Sequence, residues 1–170
     1  LDRCPESERL QVLDMTDRFG STALHCAAQA GQVDCINTIL SFYPESERLR
    51  AVSTQNTRGE TVLHCAAASS NKVESFQLLL AHYPESERLR ALSLQDKKGW
   101  TVLHSVARSG SFELIEIILA LYPESERLQA VSTQDQHERT VLHCALYSNK
   151  VECIKAVLSI YPESQRIHAL

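Results

Sequence analysis

The sequence predicts an all-α solenoid of four stacked helical repeats, each with a short hairpin or turn finger and a third short helix. The first observation is a recurring segment, Pro-Glu-Ser-Glu-Arg-Leu or a close variant, which begins at Pro5, Pro44, Pro84, Pro123 and Pro162. The second is the marker Thr-(Ala/Val)-Leu-His, which ends at His25, His64, His104 and His143. Both markers recur every 39 or 40 residues. Because the apolar residues between them recur at helical spacing, the period indicates stacked helical units.

The markers divide the chain into repeats. We expect residues 1–170 to form a single array, with 1–13 as the tail of a preceding repeat and repeats over 14–52, 53–92, 93–131 and 132–170. The second repeat has one extra residue, which must follow His64 and falls in a turn over 68–72. A surface turn tolerates such an insertion. The incomplete units at both ends lead us to expect flanking repeats or another domain.

The first helix of each repeat should begin after a threonine. Thr22, Thr61, Thr101 and Thr140 each precede a short segment such as Leu-His-Cys-Ala-Ala. A threonine oxygen at this position accepts a hydrogen bond from an unpaired N–H at the helix start.

The second helix should follow a turn and carry one apolar stripe. Its members are Val33/Ile36/Ile39/Leu40, Val73/Phe76/Leu79/Leu80, Phe112/Ile115/Ile118/Leu119 and Val151/Ile154/Val157/Leu158. This spacing places them on one face, which we expect to pack against neighbouring repeats.

The Pro-Glu-Ser-Glu-Arg-Leu segment predicts the third helix, because proline suits a helix start and glutamates suit the positive end of its dipole. A turn follows, with Gly20, Gly59 and Gly99 at positions suited to positive φ. Glu138 stands at the matching position of the last repeat, where we expect a hairpin that differs in shape or is strained.

A period near 40 also fits HEAT or armadillo repeats, or a WD40 propeller, although the helical spacing excludes the propeller. The local signature separates the others. Asp-x-x-Gly-x-Thr-x-Leu-His-x-Ala-Ala over 17–28, and the same pattern with Asn56 over 56–67, resembles the ankyrin repeat. The resemblance extends over nearly the whole chain. It departs from the family in having Ala or Val where proline usually follows the threonine, and in a unit longer than the family's roughly 33 residues, an extension that we assign to the third helix.

The composition of the chain argues against some classes of function. Lys and Arg total 17 against 21 Asp and Glu, for a net charge of −4, which argues against a globally basic nucleic-acid binder. No apolar run approaches the roughly 18 residues of a membrane span. Six cysteines would permit disulfides, but Ser or Leu replaces several of them at matching positions. We therefore expect reduced thiols and a cytoplasmic chain, without a membrane partner.

Three adjacent His-Cys pairs, at 25–26, 64–65 and 143–144, suggest zinc ligands or a thiol–imidazole catalyst. Neighbouring helical side chains project about 100° apart, so the two members of a pair do not face each other. The ankyrin resemblance implies instead that the histidine ties neighbouring loops by hydrogen bonds. Cys35 and Cys153 share a register position with Ser75 and Leu114, which suggests small packing residues. We expect no catalytic, metal or cofactor site, and no enzyme.

The resemblance also implies a concave partner-binding face made of the fingers and the exposed end of the first helix. By register, this finger face comprises Arg18, Phe19, Arg58, Glu60, Lys97, Lys98, Trp100, Arg108, His137, Arg139 and Tyr147. It holds six cations against one anion, together with aromatic side chains of the kind that anchor interfaces. A protein partner with an acidic patch and an apolar element would fit it. The alternative is that these are solvated turns whose cations serve solubility.

The function that follows is a protein–protein interaction module, an adaptor or scaffold that acts as a monomer. A second hypothesis is the targeting domain of a larger enzyme or bacterial effector, since long, near-identical units resemble ankyrin proteins of intracellular bacterial pathogens. In that case the chain would work in the host cytosol. A purely mechanical or engineered array is the third, and the variation among finger residues argues against it.

Overall fold

The structure is a computed structural model that describes residues 5–69 and 72–166. Its helices begin where the sequence patterns predict them to begin. A leading third helix, α1 (Glu6–Leu13), precedes the first repeat. The first helices of the repeats are α2 (Ala23–Ala30), α5 (Val62–Ala67), α8 (Val102–Ser109) and α11 (Val141–Tyr147). The second helices are α3 (Val33–Ser41), α6 (Lys72–Ala81), α9 (Phe112–Leu121) and α12 (Val151–Leu158). The third helices are α4 (Glu45–Ser53), α7 (Glu85–Ser93), α10 (Glu124–Ser132) and α13 (Glu163–Arg166).

The all-α prediction is confirmed for the described residues, whose regular elements are helices apart from isolated bridges between Thr16 and Thr22 and between Gln55 and Thr61. These bridges close the bases of two fingers. Part of the predicted inserted turn, Cys4 and the end of the last repeat lie outside the described residues.

The chain forms two compact units, residues 1–85 and 86–170. In the first unit α2 packs against α5 and α3 against α6, while in the second unit α8 packs against α11 and α9 against α12. Each unit thus repeats one stacking pattern, first helix on first helix and second helix on second helix. The extent of the array and its repeat boundaries stay predictions.

The core lies between the first and second helices. The leucine before each marker histidine is at most 1% exposed: Leu24, Leu63, Leu103 and Leu142. The second helices add fully buried side chains such as Ile36, Phe76 and Ile115. Burial of each such side chain contributes about 1.5–3 kcal/mol. The residues of the predicted stripes are buried or half-buried, apart from Phe112 and Val151, which are 37% and 56% exposed.

A buried tyrosine joins each repeat to the third helix before it. The hydroxyl of Tyr83 donates to the Val52 carbonyl at 2.7 Å, and that of Tyr161 donates to the Val131 carbonyl at 3.3 Å. The hydroxyl of Tyr43 reaches a carboxylate instead, Asp14 Oδ1, at 2.9 Å. Tyr43, Tyr83 and Tyr161 are all buried.

The arginine of the recurring segment fixes the third helix to the second. Arg48 Nε donates to the carbonyl of Leu40 at 3.1 Å and to that of Tyr43 at 3.3 Å. Arg127 Nε donates in the same way to the Tyr122 carbonyl at 3.1 Å. Each arginine therefore adds a side-chain hydrogen bond to carbonyls at or just past the end of a second helix. This contact gives the repeated Arg a structural reason.

Each finger is organised by an aspartate or asparagine whose Oδ1 accepts two backbone N–H groups, two and four residues further on. Asp17 accepts from Phe19 at 2.8 Å and from Ser21 at 3.0 Å. Asn56, Asp96 and Asp135 make the same pair of bonds. Each of these side chains therefore serves its own turn.

Neighbouring fingers in a unit touch through their backbones. Gln136 N–H donates to the Lys98 carbonyl at 2.9 Å, as Thr57 N–H donates to the Phe19 carbonyl at 2.9 Å in the first unit. At Gly99 a Cβ atom would lie 2.9 Å from Asp135 Cα, closer than real Cβ contacts come. Glycine is therefore required there by close approach as well as by its φ of +80°.

Glu138 keeps the same finger shape under strain. Its φ is +59°, in the left-handed region that the glycines of the other fingers occupy, and the Asp135 hydrogen bonds are intact. The expectation of a strained hairpin is confirmed, whereas a change of shape is not observed. A residue with a Cβ atom in this conformation costs about 1 kcal/mol.

Glu138→Gly should therefore stabilise the protein by about 1 kcal/mol, less the entropy that glycine adds to the unfolded chain. The expected rise in Tm is about 2–4 °C per kcal/mol, measured by far-UV circular dichroism. Glu138→Ala is the control, since it removes the carboxylate but keeps the strain. An equal gain in both variants would show that charge, and not backbone conformation, is the cause.

Candidate protein-interaction surface

The marker histidine links a helix start to the next finger. His25 Nδ1 accepts the Thr22 N–H at 3.3 Å and lies 2.9 Å from Thr22 Oγ1, which completes a reciprocal cap at the start of α2. Because Nδ1 accepts a backbone N–H, the ring proton lies on Nε2, which donates to the Glu60 carbonyl of the next finger at 3.3 Å. In the second unit His104 repeats this with Thr101 and the Arg139 carbonyl, at 3.3 Å.

For His25 and His104, these bridges confirm the loop-tying role that the sequence resemblance implied. Burial lowers the pKa of His25 and of His104, against the opposing effect of their carbonyl partners. The neutral ring is therefore the form that the fold stabilises. His143, in the last repeat, makes the same cap with Thr140 but is exposed.

The described cysteines are free thiols. Burial raises the pKa of Cys65 to about 12 and that of Cys144 to about 11, so both are protonated near neutral pH. A protonated thiol is a poor nucleophile and a poor metal ligand. Cys153 is a buried packing residue as predicted, but the same prediction is wrong for Cys35, which is exposed. No metal-binding group of three or more His, Cys, Asp or Glu side chains occurs within 5–69 and 72–166.

In the first unit the finger face centres on Phe19, which is 43% exposed. The Arg18 guanidinium carbon lies 4.7 Å and that of Arg58 5.6 Å from the centre of its ring. Arg58 also pairs with Glu60 at 2.9 Å, and the Asn56 side-chain amide donates to the same Glu60 oxygen at 2.8 Å. The anion predicted for this face is thus held within its own finger, while Arg18 and Phe19 face solvent.

In the second unit Trp100 is half-buried and anchored. Its indole N–H donates to Asp135 Oδ2 at 2.9 Å, and Arg139 pairs with the same oxygen, at 2.7 Å from Nη2 and 2.8 Å from Nε. Burial of Asp135 would raise the pKa of its carboxyl. The hydrogen bonds from Arg139, from the His137 backbone and from Trp100 outweigh this effect, and the pKa lies well below its usual range. The positive charge of Arg139 is therefore largely compensated by Asp135 inside the finger.

Three further side chains surround this anchor. The Arg108 guanidinium carbon, at the end of α8, lies 4.9 Å from the Tyr147 ring centre and 5.9 Å from that of Trp100. Lys98 Nζ lies 5.6 Å from the Trp100 ring. Arg108 and Lys98 are exposed, and Tyr147 is 63% exposed. We call Lys98, Trp100, Arg108 and Tyr147 the aromatic–cation cluster.

The structure therefore brings the predicted residues together in two sets, one in each unit. Lys97 and His137 are exposed at the tips of the third and fourth fingers. Sequence reasoning missed the second carboxylate oxygen of Asp135, which holds both Trp100 and Arg139. The signal for the Arg139 contact is an Asp four residues before an Arg. The Trp100 contact joins residues 35 positions apart and leaves no local pattern.

A family model described as ankyrin repeats (3 copies) matches residues 7–89 and 87–166. The chain belongs to the ankyrin repeat family. Ankyrin repeats are generally protein–protein interaction modules, and proteins built from them are typically non-catalytic. A search of curated protein sequences gives no match. In the described part of this ankyrin repeat protein, no helix has the length and apolar character needed to cross a membrane.

The histidine bridges of this ankyrin repeat protein make its stability depend on pH. The unfolded chain protonates His25 and His104 near pH 6.5, and the folded chain only at lower pH, because burial lowers both pKa values. The stabilisation is therefore complete above about pH 7 and is lost as pH falls below about 6.5. We expect the free energy of unfolding, measured by urea denaturation, to be lower at pH 5.5 than at pH 7.5.

The matched comparison is a double variant, His25→Gln with His104→Gln, against His137→Gln at an exposed finger tip. The double variant should be less stable at pH 7.5 and should show a smaller drop on acidification. His137→Gln should keep the drop of the parent protein. A double variant with the full drop would place the responsible protons elsewhere.

The two oxygens of Asp135 predict a graded loss of stability. Asp135→Ala removes the acceptor of two backbone N–H groups and of the Trp100 and Arg139 contacts, and should cost about 2–3 kcal/mol. Asp135→Asn should cost less, because Asn56 fills the matching position of its own finger with the same backbone bonds. Urea unfolding followed by Trp100 emission measures both. Equal losses would mean that the turn contributes nothing apart from the Trp100 and Arg139 contacts.

Proposed function

We propose that this ankyrin repeat protein is an adaptor or scaffold that binds a protein partner through its finger face, and that the partner presents an acidic patch with an apolar element. The observation that carries the proposal is how the charges are paired. Arg58 pairs with Glu60, and Arg139 with Asp135, inside the fingers. Four cations differ: Arg18, Lys97, Lys98 and Arg108. None of them forms an ion pair with a carboxylate among the described residues of the unit to which it belongs.

The exposed aromatic side chains supply the apolar element of such a site. Phe19 and Tyr147 are 43% and 63% exposed, and each lies beside an arginine without an ion pair in its unit. Aromatic and arginine side chains are the residues that most often dominate binding energy at interfaces. Solubility alone would require the cations but not large aromatic side chains beside them.

The chain takes no catalytic role in this proposal, since its buried thiols are protonated and its buried histidines serve as caps. It acts as a monomer, and its free thiols suit a reducing cytoplasm. The same surface would serve as the targeting part of a larger enzyme or a bacterial effector, with the catalytic groups in another domain and the host cytosol as its place of action.

Charge reversal on the fingers tests the proposal. The double variant Lys97→Glu with Lys98→Glu changes two exposed side chains and leaves the Asp96 turn, which uses backbone N–H groups, intact. Parent and variant serve as bait in cell lysate, and bound proteins are quantified by mass spectrometry. We expect at least one protein to be captured by the parent and reduced about tenfold or more with the variant.

The charge-matched control is Arg90→Glu with Lys155→Glu, two exposed cations of the second unit on α7 and α12, away from the fingers. It should capture the same protein as the parent. Circular dichroism verifies that all three proteins are folded. Trp100 is left unchanged because its side chain bonds to Asp135. A substitution there would disturb the fold as well as the binding surface, and the two effects could not be separated. Equal capture by all three proteins would refute binding through the fingers.

A further inference from the structure

We infer that Arg108 is the recognition cation of the aromatic–cation cluster and that it binds a carboxylate of an extended acidic segment in the partner protein, with Lys98 contacting a second carboxylate. This inference rests on the proposed function and names the chemistry of the group that the site accepts.

Among the described residues of its unit, Arg108 lies beside two aromatic rings and forms no ion pair with an acidic side chain. Its guanidinium carbon lies 4.9 Å from the Tyr147 ring centre and 5.9 Å from that of Trp100. A guanidinium that contacts rings through its flat face keeps its N–H edge available to donate. The free edge matches a carboxylate, which accepts two parallel N–H bonds.

Arg139 lies at the same 5.9 Å from the Trp100 ring but has a different role. Its Nε and Nη2 are both bonded to Asp135, so its N–H edge is already occupied by a carboxylate of the finger. Arg139 is therefore a positioning residue that holds Trp100 through Asp135. In the fourth finger, the Asp135 carboxylate bonds the guanidinium N–H groups of Arg139. Arg108 lacks an equivalent carboxylate partner within the described part of its unit.

The charges around the cluster favour a short acidic polypeptide over a nucleic acid. Asp96 and Asp135 are buried and accept backbone N–H groups, so they add little negative field at the surface. Glu138, an exposed residue of the fourth finger, is an acidic group in the same unit as these cations. A phosphate backbone requires a continuous basic track, whereas a few carboxylates can be placed on Lys98 and Arg108 and avoid Glu138.

The test uses Trp100, the only tryptophan of the sequence, as a local reporter. The intact chain is titrated with a hexaglutamate peptide at constant ionic strength, followed by tryptophan emission and by isothermal titration calorimetry. We expect saturable binding, weakened about fivefold or more by Arg108→Gln and less by Arg108→Lys, which keeps the charge but not the planar fork. Arg90→Gln, an exposed arginine on α7, is the matched control and should leave the affinity unchanged.

No saturable binding by either method, or equal affinity in the parent and Arg108→Gln, would overturn the inference. So would tighter binding of a DNA duplex of equal charge than of hexaglutamate. The outcome is separable from that of the lysate experiment. A captured partner that depends on Lys97 and Lys98, without hexaglutamate binding, would reject the carboxylate site and leave the adaptor function standing. Hexaglutamate binding through Arg108, without any captured partner that depends on Lys97 and Lys98, would support the carboxylate site and reject the adaptor function.

Discussion

The structure of each unit depends on one imidazole ring held between two backbones. In the first unit His25 accepts the N–H that starts its own helix and donates to the finger of the next repeat. His104 does the same in the second unit. The ring can do both only as the neutral tautomer with its proton on Nε2. It therefore fixes the helix start and the distance to the next finger with a single side chain, which allows the exposed finger residues to vary.

Local chemistry made most of the fold predictable. The threonine before each first helix, the spacing of apolar residues in the second and the proline before the third each act within a few residues. The turn aspartates were equally readable, because their bonds reach only two and four positions further on. The prediction for Cys35 was wrong because the same position of the second helix is buried at Cys153, in the last repeat, but exposed at Cys35, in the first repeat. Register alone does not report what packs above a position.

The candidate site was less predictable, because its decisive contacts join residues of different repeats. Sequence reasoning grouped Arg108 with Arg139 as finger cations, but Asp135 neutralises one and leaves the other facing aromatic rings. Trp100 was expected to be an exposed anchor, and the structure instead bonds its indole N–H inside the finger. The backbone scaffold is thus repeated from finger to finger, while the chemistry available to a partner is set by pairs of side chains brought together by stacking.

The tautomer of the bridging histidines tests the central claim most directly. Two-dimensional NMR correlation of imidazole nitrogens with ring carbon-bound protons, on nitrogen-15-labelled protein at pH 7, distinguishes the two neutral tautomers and the charged ring. The account predicts that His25 and His104 are neutral, with the proton on Nε2 and with Nδ1 as an acceptor. A proton on Nδ1, or a charged ring at that pH, would contradict it, because neither form could accept the threonine N–H and hold the next finger.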